Sequence, residues 1–459
     1  MSRALLKTVF LISQLGLIWI GIKSNPILIV GIPLLLIAFI WLLYNPGISL
    51  LFLAMTGIIK GFLIRIFPVF EVIDYTLLFT IIIWIGLFRL FLIGEWKIPL
   101  WSKQFITLYM LFSIVLLFSG FYTPSPNYGW QKIGLFLIFN TTMFITPFII
   151  IKKVKDSVQI LSTYIIILIL MYALMAGDVI NFLFSVKNVQ SLIRISVLGS
   201  NPIGTGLIIA IGLGMLLIFI HRSKISQWII LIPIVGLMAI GLIATGSRGP
   251  IFSLIAGIAV YFVVFEKINI FRISISLFLL LFIFGILFLI LPESITYRFI
   301  NYTTGDLVIY QDGVKHVSTI ALRFQYWQLS LSEWFRNIRT VLVGVGAGGF
   351  SSFYILRDYT FYPHNMFFEI LLELGIIGVS IIVLFFSKVW LFIINYKDRI
   401  NYSLPTAFWI IAALITFFAA QFSGDIARNR TLWMFTSFAI TAVYYEKRKY
   451  LTQIEKPVK

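Results

Sequence analysis

Long apolar runs separated by short polar segments extend along nearly the whole of the 459-residue chain. Runs of about 17 or more apolar residues are long enough to cross a membrane as helices. The pattern predicts fourteen spans, at residues 8–22, 27–44, 47–67, 72–94, 104–121, 131–151, 158–177, 202–220, 227–244, 250–265, 273–291, 365–387, 404–422 and 431–445. We therefore expect an all-α fold, a polytopic transmembrane helical bundle of about 12–14 spans with one large external loop containing short amphipathic helices.

The composition agrees with this pattern. Hydrophobic residues make up 60% of the chain and charged residues only 11%, and the mean hydropathy is +1.04. The absence of cysteine excludes disulfides, thiol catalysis and cysteine metal sites. The first apolar run follows Arg3 and Lys7, but no small-residue cleavage pattern comes after it, so we expect it to be retained as a span.

The charged loops predict an orientation and three regions. The short basic segments lie on one side of the predicted bundle: 152–156, 221–224, 266–272, 396–399 and 446–449. Because basic loops stay in the cytoplasm, both termini are expected there and residues 292–362 outside. Residues 1–291 would hold spans 1–11, and 363–459 would hold spans 12–14 and the tail. Topology also accounts for the net charge of +18, so no nucleic-acid partner is expected.

Arginines on the predicted outer side run against this rule and need another reason. Arginine binds phosphate oxygens through a planar, permanently charged fork. Arg248 lies in TGSRGP, 245–250, where Ser247 could cap a helix start that itself favours anions. Arg194 precedes a turn rich in Gly, Ser, Asn and Pro on the same predicted side. Pairing with outer acids or with lipid headgroups is the alternative explanation.

A third arginine, Arg323, stands in the predicted external loop. Trp327, Leu331, Trp334 and Ile338 recur at helical spacing and form one apolar face, with Arg323 one turn before Trp327. An interfacial helix on the membrane surface is expected in either case. Arg323 is a further candidate phosphate ligand.

The stretch FYPHNMFFEILLELGIIG, 361–378, brings a histidine to the start of a predicted span. His364 can change protonation near neutral pH and is therefore a candidate general base. Glu369 and Glu373 share one helix face and should point into the protein, where they could orient His364, bind an arginine or accept sugar hydroxyls. We group them with Asn365 as residues that organise a pocket. The glycine-rich segment 343–350 just before is expected to be a tight turn, and no metal-binding motif is recognised.

These elements together resemble a known family. TGSRGP, the pair Arg323 and Trp327, GVGAGGF at 344–350 and PHN at 363–365 followed by GIIG are similar to the O-antigen ligase and polymerase superfamily. The resemblance is best over about residues 190–380, and the first spans match it only as hydrophobic helices. It implies a C-type membrane glycosyltransferase that acts at the outer face of the bacterial cytoplasmic membrane on sugars carried by undecaprenyl diphosphate.

The resemblance also implies roles for individual residues. Arg194, Arg248 and Arg323 would bind the donor diphosphate, and His364 would be the base, so that His364 and Arg248 are the catalytic pair. No metal or cofactor would be needed. The partners would be an undecaprenyl-diphosphate-linked glycan donor, a glycan or lipid-linked acceptor and membrane lipids, with flippase and chain-length regulator proteins as candidates.

The sequence leaves several functions open. A polymerase joins repeat units of a cell-surface polysaccharide, and a ligase transfers the glycan to lipid A-core. The number of polysaccharide systems that use a polymerase favours the first. A transporter for lipid-linked sugars and a non-catalytic scaffold are alternatives from other classes, although a transporter would more often show internal repeats and polar groups at mid-membrane.

Overall fold

The computed structural model describes residues 27–185, 201–266, 285, 306–310, 313–317, 319–395 and 402–454. Within these ranges almost all regular structure is helical. The first helices are α1 (Ile27–Tyr44), α2 (Pro46–Ala54), α3 (Thr56–Ile66), α4 (Tyr75–Leu92), α5 (Lys103–Ser119), α6 (Pro126–Leu135), α7 (Thr141–Ile150), α8 (Val154–Ser185), α9 (Pro202–Arg222), α10 (Ile225–Ala244) and α11 (Arg248–Phe265). After strands β1 (Asp306–Tyr310) and β2 (Gly313–Val317) come α12 (Thr319–Trp334), α13 (Ile338–Val343), α14 (Phe350–Tyr354), α15 (Met366–Ile394), α16 (Leu404–Ala419) and α17 (Arg430–Ile454). Short 3-10 turns cover Pro68–Val72 and Leu100–Ser102, and one turn of π-helix, Phe136–Asn140, joins α6 to α7.

Seven helical stretches in the described part of the chain are long and apolar enough to cross a membrane. They are Tyr75–Leu92, Leu100–Ser119, Pro126–Ile150, Val154–Asp178, Pro202–Arg222, Arg248–Phe265 and Met366–Ile394. The shorter apolar helices Leu231–Ala244 and Leu404–Ala419 accompany them. The predicted polytopic helical bundle is therefore confirmed. The predicted span 8–22 and, apart from residue 285, the predicted span 273–291 lie outside the described residues.

The predicted span 47–67 is divided into two helices. Met55 separates α2 from α3, and α2 itself is bent by 109° from the last turns of α1. Pro46 begins α2 directly after this bend, a position where a proline fits because the first helical N–H needs no partner. The pattern separated α1 from α2, but it did not reveal the break at Met55.

The predicted external loop contains a strand pair as well as helices. Strands β1 and β2 are antiparallel, with Asp306 opposite Val317 and Tyr310 opposite Gly313. The amphipathic helix predicted there ends at Trp334, so the prediction that Ile338 continues its apolar face is wrong. A reciprocal cap between Asn337 and Thr340 starts α13 instead.

The helices pack around buried aromatic side chains. α16 lies between α11, α17 and α9, while α5 runs along α15. The fully buried indole of Trp433 lies 5.0 Å from Tyr109, 5.6 Å from Phe136 and 5.6 Å from Phe385, measured between ring centres. Aromatic contacts of this kind hold four helical segments together. In a membrane the hydrophobic effect does little to drive helices together, so specific side-chain packing has to do so.

The bundle has two distinct ends. At one, which we call the basic end, Arg222 donates to the Tyr402 carbonyl and pairs with Glu266, both at 2.7 Å, so the ends of α9 and α11 meet the start of α16. At the other, the site end, the α16–α17 turn (residues 420–429) meets the start of α15, where the Met366 N–H donates to the Ala420 carbonyl at 3.0 Å. The predicted cytoplasmic segment 221–224 belongs to the basic end, and 396–399 lies outside the described residues.

Candidate functional site

His364 occupies a turn that is fixed on both sides. Its backbone φ is +56°, in the left-handed region that few residues other than glycine adopt. The indole Nε1 of Trp327 donates to the carbonyl of Pro363 at 3.2 Å. Asn365 caps α15, because its Oδ1 accepts from two backbone N–H groups of the first turn. An unfavourable backbone conformation held by its surroundings costs about 1–3 kcal/mol and is common at functional sites.

Aromatic rings surround the imidazole. Tyr362 lies 4.5 Å from His364 between ring centres, Tyr326 lies 6.1 Å away in a stacked arrangement, and Phe361 presents its edge at 6.4 Å. Tyr326 is buried, and it packs against Phe350 and Phe361 in a small aromatic core under α12. This packing excludes much of the water around the histidine while leaving it partly exposed.

The surroundings of His364 favour its neutral form. Burial in the aromatic turn and, next, the positive charge of Arg323 lower the pKa of His364 to about 4, against the opposing effect of Asp425. The sequence left open whether arginines or acids would dominate this pKa, and the balance falls on the side of burial and arginine. An imidazole with this pKa is neutral at pH 7 and can accept a proton.

The α16–α17 turn connects the His364 turn to the start of α11. The side-chain amide of Asn365 donates to the carbonyl of Gln421 at 3.1 Å. The next residue, Phe422, stacks against Phe252 of α11 with ring centres 5.8 Å apart. The first turn of α11, which begins with Arg248, therefore packs against the same turn that Asn365 contacts.

The start of α11 differs from the prediction in one detail. Ser247 occupies the N-cap position, but its hydroxyl donates to the carbonyl of Thr245 at 3.3 Å and makes no capping hydrogen bond. The predicted cap is therefore wrong, because the hydroxyl is used within the preceding turn. Arg248 is half-buried. Arg194, the remaining predicted phosphate ligand, lies outside the described residues.

Glu369 and Glu373 point into the protein, as predicted, and share one cation. Lys132 of α6 is fully buried and pairs with both carboxylates, at 2.5 Å from Glu373. Glu369 also accepts a hydrogen bond from the backbone N–H of Ile426 at 3.0 Å. Among the roles considered for these glutamates, the structure shows cation binding, although the cation is a lysine and not an arginine.

Asp425 joins this buried cluster to the α16–α17 turn. The phenol of Tyr128, one turn before Lys132, donates to Asp425 at 2.8 Å, and the backbone N–H of Arg428 donates to the other carboxylate oxygen at 2.7 Å. Asn140 donates to the carbonyl of Ile426 at 2.9 Å. Hydrogen bonds from α6 and from the π-helical turn after it therefore hold the turn that carries Gln421 and Phe422 in place.

The glycine-rich segment forms the tight turn that was predicted, and it supports a break in α15. Gly375 interrupts α15 with φ +63° and ψ −162°, a conformation essentially reserved for glycine. Val345 and Gly346 donate their N–H groups to the carbonyls of Leu372 and Glu373, both at 2.9 Å. The turn therefore satisfies the carbonyls that the break leaves open, and it fixes the backbone of Glu373.

Sequence analysis missed Lys132, Asp425, Tyr128 and Arg428. Lys132 stood inside a predicted span, and an ionisable residue within a span is a sign of an ionic partner or of function. Asp425 follows an apolar run in the same way. The partners themselves could not be named, since they are separated by hundreds of residues. The described residues contain no group of three or more His, Asp or Glu side chains suited to a metal ion.

Comparison with known proteins gives one family match. Residues 233–383, from within α10 to within α15, match the family model described as O-Antigen ligase. This range contains Arg248, Arg323, His364, Glu369 and Glu373 and ends before Asp425. No curated protein matches the chain. The resemblance to the O-antigen ligase and polymerase superfamily is therefore confirmed, and it rests on the third of the chain that carries the histidine turn and the start of α11.

Proposed function

We propose that the protein is a glycosyltransferase that polymerises undecaprenyl-diphosphate-linked repeat units of a cell-surface polysaccharide at the outer face of the cytoplasmic membrane. One observation carries the proposal. A histidine with a lowered pKa lies beside Arg323 and, across the α16–α17 turn, near the start of α11 with Arg248. A neutral base next to a cationic surface is what transfer from a lipid diphosphate requires.

The reaction is a single displacement. His364 removes the proton from the acceptor hydroxyl as its oxygen forms a bond to the anomeric carbon of the donor sugar. The bond between that carbon and the diphosphate oxygen breaks, and the electron pair leaves with undecaprenyl diphosphate. Arg248 and Arg323 stabilise the charge that develops on this leaving group, and Arg194 is proposed to assist. A one-step displacement inverts the anomeric configuration and needs no protein nucleophile.

Asn365, Glu369 and Glu373 act as positioning residues in this proposal. Asn365 holds the start of α15 and the α16–α17 turn together through opposite ends of its side-chain amide. Glu369 binds Lys132 and the backbone of the same turn. These contacts keep His364 and Arg248 at a fixed separation, and orientation of reacting groups is a large part of enzymatic rate enhancement.

We infer the orientation of the site from the charge at the two ends of the bundle. The basic end would face the cytoplasm, with both termini, and the site end would face outside. No pool of nucleotide sugars exists there, so an activated sugar must arrive attached to a lipid.

A ligase would carry out the same displacement with lipid A-core as the acceptor. A transporter would carry out no glycosyl transfer. Purified protein supplied with a synthetic lipid-diphosphate-linked oligosaccharide separates these functions. A polymerase lengthens the glycan on its lipid, a ligase makes product only when lipid A-core is added, and a transporter makes neither.

Variants make this assay specific for the proposed site. His364→Ala should lower turnover by about 10²–10⁴-fold, the usual contribution of a general base. His221→Ala is the matched control, because His221 lies at the basic end beside Glu266. Equal losses in both variants would contradict the assignment of His364.

A further inference from the structure

A cavity of about 170 Å³ lies at the site end between three helix starts. It is bordered by Thr56 at the start of α3, by Asn201 and Thr205 at the start of α9, and by Arg428 and Arg430 where α17 begins. Both charged side chains in this lining are arginines, and no acid belongs to it within the described part of the chain. Its volume exceeds that of several water molecules, at roughly 30 Å³ each, so it can hold a phosphate group.

The two guanidinium groups are only partly neutralised. Arg428 lies 3.7 Å from Asp425, longer than a hydrogen bond, and half of its side chain is exposed. Arg430 has its guanidinium 5.7 Å from the ring centre of Phe139, with Asp74 as its favourable electrostatic partner and Arg428 as a repulsive one. Two arginines that repel one another beside a cavity are stabilised when an anion binds between them.

The remaining lining suits an anion attached to a lipid. The side-chain amide nitrogen of Asn201 can donate a hydrogen bond to a phosphate, and the start of the 21-residue α9 adds partial positive charge. Farther in, Ile208, Ile211 and Phe435 present apolar surface. A polar head with an apolar continuation is the shape of a lipid phosphate.

Neither Arg248 nor Arg323 lines this cavity, which lies close to His364. The guanidinium of Arg428 lies 5.8 Å from the ring centre of Tyr362, and the Tyr362 ring lies 4.5 Å from His364. Two side chains therefore separate the cavity from the proposed base. A polymerase joins two lipid-linked molecules, each with its own diphosphate, so it needs two anion sites around one base.

We propose that the cavity between α3, α9 and α17 is a second lipid-phosphate site, in which Arg428 and Arg430 hold the diphosphate of the acceptor. Arg248 and Arg323, which do not line this cavity, hold that of the donor. The existence of the anion site is independent of the proposed function, whereas its assignment to the acceptor rests on it.

Binding stoichiometry tests the site without requiring turnover. Purified full-length protein in a neutral detergent is titrated with a polyprenyl diphosphate, and bound lipid is counted by native mass spectrometry. Wild type should bind two molecules. Arg428→Gln/Arg430→Gln should retain one, with the second weakened roughly tenfold or more by the loss of charge-assisted hydrogen bonds. Arg248→Gln/Arg323→Gln should retain the other.

Loss of folding, absence of the second site and failure of the proposed function give different results in this experiment. Retention of one bound lipid shows that a double variant is folded, and Arg336→Gln, which changes an exposed arginine, should bind as wild type. Unchanged stoichiometry in Arg428→Gln/Arg430→Gln would overturn the site. Equal competition by phosphatidylglycerol would overturn its assignment to the acceptor and make it a headgroup site. Two intact sites without glycan elongation would instead contradict the proposed function.

Discussion

The ammonium group of Lys132 lies 2.5 Å from a carboxylate oxygen of Glu373, and both side chains are almost completely removed from solvent. Glu369 pairs with the same ammonium, so one cation serves two acids in an apolar bundle. A buried charge without a partner is far more costly than a missing ion pair at the surface. The triad therefore fixes α6 against α15, directly below the turn that carries His364.

Removal of the lysine charge should destabilise the protein. Lys132→Met leaves two buried carboxylates without a cation, which is expected to cost about 3–5 kcal/mol. Thermal unfolding in detergent measures this loss. The triple variant with Glu369→Gln and Glu373→Gln should recover much of it, because the buried charges are then gone. Lys152→Met, which breaks the exposed pair with Glu95, should change little. An equal effect of both lysine substitutions would contradict the buried triad.

The lowered pKa of His364 predicts an unusual pH profile. Its imidazole is neutral above a pKa of about 4, so the rate of glycan transfer should be nearly constant from neutral pH to about pH 5 and fall below it. A free histidine would lose activity near pH 6.5. Arg323→Gln removes one of the two effects that lower this pKa, and its acidic limb should move to higher pH. A rate that rises on acidification would show that His364 donates a hydrogen bond to the phosphate instead.

The guanidinium geometry of Arg248 should matter as much as its charge. Arg248→Lys keeps the charge and loses the planar fork, so activity should fall strongly, and Arg248→Ala should cost more. Glycan elongation at matched protein level is the measurement, with Arg336→Lys as the control on an exposed arginine. Wild-type synthesis in Arg248→Lys would reduce Arg248 to a topological or structural charge.

The predicted orientation can be tested in the cysteine-free background that this chain provides. Cysteines at Lys152 and Arg222 should react only with reagents that reach the cytoplasm, and one at His316, in the predicted external loop, only with reagents supplied outside. Each variant is compared after membrane disruption, which exposes all positions. Labelling of position 316 from the cytoplasm alone would contradict the proposed site of action.

Hydrophobic pattern predicted most helices closely. It placed the end of a span at residue 44, where α1 ends, and a span at 365–387 that begins within one residue of α15. It failed at Met55 and at Gly375, since neither break is marked by a proline or by a cluster of polar residues. A break in such a helix depends on its contact with another segment of the chain. The local hydrophobic pattern does not show which segment makes that contact.

Unusual single residues indicated the histidine and the arginines of the candidate site, but they did not indicate the buried residues that hold it in place. His364, Arg248 and Arg323 stand out because each is unusual at the end of an apolar run. Lys132 and Asp425 were equally unusual, but their meaning depends on partners from distant helices. Asp425 is 297 residues from Tyr128, to which it is hydrogen-bonded.

The break in α15 should be intolerant of any side chain. A Cβ at Gly375 would lie 2.5 Å from the backbone of Leu342, and the φ and ψ angles there are essentially restricted to glycine. Gly375→Ala should therefore cost about 1–3 kcal/mol for the strained backbone and ~1–3 kcal/mol more for the clash. The glycine-rich turn would separate from α15, so activity should fall together with the melting temperature.

Gly134→Ala provides the matched control for this substitution. Gly134 lies within α6, and a Cβ added there would meet no atom within 4 Å. Alanine is the better helix former, so this variant should melt at the same temperature as wild type or slightly higher. If Gly375→Ala melted like Gly134→Ala, the tight contact between the glycine-rich turn and α15 would be wrong. The positioning of Glu373 through that turn would then need another explanation.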